Sequence, residues 1–189
     1  MQKGLFMVLG FFVFIGLIIG ATWISAYNGA VQKNNAIVEQ QGNVHATLSA
    51  RYEKVGAFID AIEGANSTVQ GYLNTIMAAR TAFANAIAAG NVAAANEAAE
   101  TIDGTFITLV SYMEDNPSSY NTVNLYAGFM SEFAAATNVV TNAILLYNSN
   151  VTAYNNHIQT FPNNMFLGSR TPYSPYTISN YNATLPTFN

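Results

Sequence analysis

His45 and His157 are the only imidazoles in the chain, and they stand far apart in sequence. A zinc centre needs several nitrogen, sulfur or carboxylate ligands converging on one point. Neither histidine has an acidic cluster close by, and cysteine is absent, so no metal site is predicted. Glu97, Glu100 and Asp103 supply carboxylates at three-residue spacing. Paired carboxylates can do acid-base work, but the heptad register puts these three on the outer side of a helix, as a solvated face. No serine or threonine sits in a nucleophile elbow, and no glycine-rich turn between strand and helix exists to cradle phosphate. The sequence therefore offers no catalytic residue and no cofactor, and the chain reads as a non-enzyme.

The elements that position these residues are helices. Large side chains recur at alternating spacings of four and three through Phe133, Thr137, Val140, Ile144, Tyr147, Val151, Tyr154, Ile158 and Phe161, preceded by Val123, Tyr126 and Met130. Such alternation marks a heptad seam that requires partner helices. A first helix is expected to run to about residue 63, with Leu48, Tyr52, Val55, Ile59 and Ile62 inward. Upstream its seam turns polar, with Asn34, Gln41 and His45 at positions where polar groups fix register or partner number. Gly64, Ala65 and Asn66 interrupt the pattern, and Gly90-Asn91 ends a second helix. Asn116-Pro117-Ser118-Ser119 stops a third.

A span of twenty uncharged residues, 5–24, has the length of a bilayer core. It exceeds a secretory h-region, and Ile24-Ser25-Ala26 is a poor cleavage site, so we expect an uncleaved transmembrane anchor over 1–26. Lys3 precedes the span and the next basic residue is Lys33, which puts the N-terminus in the cytoplasm and the remainder on the periplasmic or extracellular side. Trp23 and Tyr27 fall where an interfacial aromatic belt belongs. Gly16 and Gly20 have the spacing that lets membrane helices approach closely. The fold expected is all-α: a transmembrane helix continuing into an elongated antiparallel four-helix bundle over 27–168, with two long and two shorter helices and an extended tail over 169–189. Two long helices alone make a poor stalk, which predicts that neighbouring copies complete it.

Only 8% of residues are charged, against about 25% in ordinary soluble domains, while 51% are hydrophobic. A net charge of -4 offers little repulsion between copies. The scattered Lys and Arg residues form no basic patch, so nucleic acid is excluded as a partner.

The motif Y-N-x-x-V-x-x-Y-N-x-x-I-x-x-F-P-x-N over 147–164 resembles the C-terminal signature of the LemA family. Tyr27-Asn28 with Val31, Arg51-Tyr52-Glu53, Ala79-Arg80 and the turn at Glu114-Asp115-Asn116-Pro117 resemble that family's other blocks, in the same order. Ala50, Gly56, Thr137 and Ile144 depart from it. The last two stand where the family usually has Glu and Arg, which implies loss of its charged interhelix pairing. The resemblance implies an N-terminal anchor, a helical bundle and no established enzymatic activity.

Two readings of the Tyr-Asn pairs, Tyr147-Asn148 and Tyr154-Asn155, follow from the residues: helix packing, or amides that bond to a neighbouring helix or subunit. After residue 168 the helical period vanishes. Phe161, Phe166, Tyr173, Tyr176 and Tyr181 are expected at the bilayer interface or clasping a neighbouring copy. The functional expectation is a membrane-anchored homo-oligomeric scaffold that organises or remodels the envelope. The alternative is a binding or signalling module for an envelope partner.

Overall fold

A computed structural model describes residues 2–60, 66–116 and 123–177. Tyr181, Ile62, Gly64, Ala65 and the Pro117-Ser118-Ser119 stop lie outside the described residues. The side chains of Ile59, Val123, Tyr126 and Met130 do as well. The elements are α1 (Gln2–Asp60), α2 (Ser67–Ala88), α3 (Val92–Glu114), α4 (Val123–Gln159) and α5 (Asn164–Leu167), with no strand among the described residues. The chain forms two compact units, one comprising Met1–Glu39 and Ser149–Ser174, the other Gln40–Asn148 and Pro175–Asn189.

In the first unit α1 carries the apolar stretch with its large side chains exposed. The helix is long and apolar enough to cross a membrane by length and composition. Beyond that stretch Ala26, Ala30 and Ile37 of α1 are buried, as are Val151, Tyr154 and Ile158 of α4. The two helices run antiparallel here. The Asn150 amide donates to the Ala36 carbonyl at 3.2 Å, and His157 Nε2 meets the Ala26 carbonyl at 2.9 Å. Gly29 makes the second contact possible, because a Cβ there would come within 2.7 Å of the His157 ring. The α4 helix stops at Gln159, since Phe161 precedes Pro162 and a residue before proline is driven out of helical backbone. Phe161, expected as the last seam member, is consequently 75% exposed.

In the second unit α2 and α3 form an antiparallel hairpin. Asn66 caps α2 by accepting from Val69 N–H, and Asn91 caps α3 by accepting from Ala94 N–H. Gly90 turns the chain between them at φ 66, where a side chain would be strained. Asn66 also reaches the Tyr112 hydroxyl near the far end of α3. The α1 and α4 segments again run antiparallel: Gln40 donates to the Ala143 carbonyl, and Lys54 pairs with Glu132. Leu48, Tyr52, Val55 and Phe58 of α1 are buried in the core, as are Phe83, Phe106 and Phe133, with edge-to-face contacts of Tyr52 on Phe83 at 5.1 Å and of Phe58 on Phe106 at 5.6 Å.

The α1 stripe stays apolar further upstream than its sequence suggests. Ile37 and Val44 are fully buried, and Asn34, Gln41 and His45 flank them half-buried. On the exposed faces Thr22, Thr75, Thr81, Thr101 and Thr108 turn their hydroxyls back onto the carbonyl four residues earlier. A surface poor in charge therefore satisfies its polar groups locally.

The expected outward position of Asp103 is overturned as well. Glu97 and Glu100 are exposed as predicted, but Asp103 is buried at 5% exposure. The buried face of α3 is broad and includes Ala98, Ala99, Ile102, Asp103, Phe106 and Val110. A seam one heptad position wide describes a helix with one neighbour, whereas α3 packs on α2 and also sends Phe106 against Phe58 of α1 and Phe133 of α4.

Candidate functional site

Among the described residues Arg51 is the largest fully buried side chain, with no exposed surface. Its Nη2 donates to Asp103 Oδ2 at 3.0 Å and its Nε to Thr137 Oγ1 at 3.1 Å, while its guanidinium lies 4.5 Å from the Phe133 ring centroid. A charged pair between helices is thus present at Arg51 and Asp103, while positions 137 and 144 contribute no charge to it. Thr137 keeps a neutral acceptor for Arg51, and the counter-charge comes from α3. A buried charge needs such a partner because desolvation otherwise costs several kcal/mol.

Asp103 Oδ1 has no hydrogen-bond partner. Burial pushes this carboxyl up from 3.8 to about 6, against the opposing pull of Arg51. The folded protein then binds this proton more tightly than the unfolded chain. Asp103's contribution to stability is full below its unfolded value and is lost as pH rises through about 6. At about 1.4 kcal/mol per pKa unit, the loss approaches 3 kcal/mol. Denaturant titrations of wild type and Asp103→Asn should diverge over this window, with only wild type carrying the falling component. Parallel pH profiles would contradict it.

The Tyr-Asn pairs build a second arrangement, once in each unit. In the first, the Asn155 side-chain amide donates to the Tyr173 carbonyl and accepts from the Tyr173 N–H, both at 2.9 Å. The Tyr154 ring meets the Tyr173 ring edge-to-face at 5.3 Å, and the Tyr173 hydroxyl donates to Asn34 Oδ1 at 2.8 Å. In the second, Asn148 grips the backbone of Tyr176 through the same two bonds, both at 2.9 Å. The Tyr147 ring packs on Tyr176 at 5.0 Å, and the Tyr176 hydroxyl meets His45 Nε2 at 3.1 Å and bonds to Gln41. Tyr176 is 2% exposed. Both side-chain amides therefore bond to the backbone of a segment of the same chain, 171–177, which has no helical or strand hydrogen bonding of its own.

The electrostatics of the second clamp keep it neutral. Burial, then the neighbouring Tyr147, raise the Tyr176 phenol well above its usual range, with Gln41 opposing. Burial lowers His45 below its ordinary value. A neutral phenol against a neutral imidazole is a positioning contact with no charge to transfer.

The remaining predicted residues lie apart from these clamps. Trp23 and Tyr27 are exposed, their rings 6.2 Å apart, and the Arg170 guanidinium lies 5.1 Å over the Tyr27 ring. Nothing within 4 Å faces a Cβ built on Gly16 or Gly20. Phe166 is half-buried. No group of three or more His, Asp or Glu with metal-binding geometry occurs among the described residues.

Residues 40–183 match the model of the LemA family. No curated protein and no solved structure matches the chain.

Proposed function

Since the chain belongs to the LemA family, we propose that it is a membrane-anchored, non-catalytic helical scaffold that associates with copies of itself to organise or remodel the cell envelope. Residues 5–24 of α1 cross the inner membrane once, with the N-terminus cytoplasmic and the four packed helices on the periplasmic or extracellular side. The bilayer and further copies of the chain are its partners, and nucleic acid is not. The observation that carries this reading is the run of α1 without a break from an exposed apolar stretch into a packed core.

Self-association draws support from Val139, Leu145 and Leu146, which stand exposed on α4 of the second unit. The clamps already occupy Asn34, Gln41, His45, Asn148 and Asn155, so contacts between copies fall to these apolar side chains. Within the bilayer, Gly16 and Gly20 admit a neighbouring anchor at close range. Light scattering with electron microscopy on full-length protein in mild detergent should give an ordered particle several times the 20.3 kDa chain mass. Leu145→Asp combined with Leu146→Asp should reduce it. A monodisperse monomer at every concentration would reject the scaffold.

The clamps favour one second reading. Asn148 and Asn155 read main chain, as peptide-binding grooves do, so a module recognising an extended segment of an envelope partner is the alternative. A stoichiometric non-self protein crosslinked to the full-length chain would support it.

A further inference from the structure

We infer that the turn joining α4 to α5 is a second membrane contact, which dips Phe161 and Met165 into the bilayer beside the α1 span. This rests on the anchor reading of α1 and concerns the first unit alone. Phe161, just before the proline of the turn, and Met165, within α5, are 75% and 70% exposed. Leu167, between them and the clamp, is buried and holds α5 down.

The level of the turn follows from two contacts. His157 meets the Ala26 carbonyl, and the antiparallel pairing of α4 with α1 places later residues of α4 beside earlier residues of α1. Ala26 lies two residues past the end of the apolar stretch, about 3 Å of helix rise. Phe161 follows His157 by four residues, so it descends about 3 to 6 Å and arrives level with Trp23 and Ile24. If residues 5–24 fill a hydrocarbon core about 30 Å thick, that level is its outer boundary. Exposed Phe161 and Met165 then continue the apolar surface of α1, and Arg170, stacked on Tyr27, sits where lipid phosphates lie. The occupant is therefore the bilayer of the chain's own anchor.

The absence of cysteine makes the test direct. Full-length protein in phosphatidylcholine and phosphatidylglycerol liposomes carries one nitroxide on Phe161→Cys or Met165→Cys, with Phe14→Cys as the lipid reference and Glu97→Cys as the water reference. Collision with oxygen and with a water-soluble nickel chelate is measured at each. Labels at 161 and 165 should favour oxygen over nickel, approaching the Phe14 label and differing severalfold from the Glu97 label. Free access to nickel overturns the inference. Poor access to both reagents also overturns it, because a second copy would then cover the turn. A Phe14 label that reads as water would sink the anchor reading itself, a failure distinct from that of the turn.

Discussion

Replacing Arg51 with Met should lower the free energy of unfolding at neutral pH by about 3 to 5 kcal/mol, the cost of stranding one member of a buried ion pair. The stranded member is Asp103, whose other oxygen already lacks a partner. Thr137 would lose its guanidinium donor as well, and Phe133 the cation above its ring. Met is close enough in volume to keep cavity formation from dominating, so the effect should be electrostatic in origin. Two features make it separable from general damage. The deficit should shrink on acidification, because Asp103 of the variant, without the opposing pull of Arg51, takes up its proton at a higher pH than in wild type and then needs no counter-ion. The double variant Arg51→Met with Asp103→Leu should recover much of the loss, since well-packed apolar replacements of buried pairs are often neutral. Urea or guanidinium unfolding of the three proteins measures all of this. Additive losses in the double variant would show that the pair is not a unit.

Asn155→Ala and Asn148→Ala form the second large expectation. Each deletes two hydrogen bonds to the main chain of segment 171–177. A hydrogen bond of this kind contributes about 0.5 to 1.5 kcal/mol. The segment can lift off into water, so the readout is its detachment more than global unfolding. Chymotrypsin cleavage after Tyr173 and Tyr176 should accelerate about tenfold or more per variant, as 1.4 kcal/mol of lost docking multiplies the open population tenfold. Asn→Asp sets a carboxylate oxygen against the carbonyl that the amide served, and should free the segment at least as much as alanine. Unchanged cleavage in both alanine variants would mean that the tyrosine rings alone hold the segment.

Much of the helical framework was legible because heptad spacing reports burial directly. Val140, Ile144, Tyr147, Val151, Tyr154 and Ile158 are all buried as their alternation predicts. Asp103 was not legible: it is one residue from the seam member Ile102, and only a second and third neighbouring helix turn that flank inward. The clamps were half legible. Tyr147-Asn148 and Tyr154-Asn155 repeat every seven residues, while Thr171-Pro172-Tyr173 and Ser174-Pro175-Tyr176 repeat every three. A helix advances 1.5 Å per residue and an extended chain more than 3 Å, so equal lengths carry unequal sequence periods. Nothing in the letters alone matches seven on one element to three on another, which is why a neighbouring helix or subunit was the natural reading of those amides.

The clamps also set an order of events during biosynthesis. Asn34 emerges from the ribosome early and Asn148 and Asn155 late, but the backbone groups that both amides grip, and the tyrosine hydroxyls that reach α1, belong to residues 173 and 176, later still. At roughly 5 to 20 residues per second, α1 waits many seconds for its partners. A nascent chain stalled before residue 176 has its helices in hand and its second clamp empty, with Tyr147 and Asn148 still wet. Neither clamp can therefore close until the residue it grips, 173 or 176, has been made.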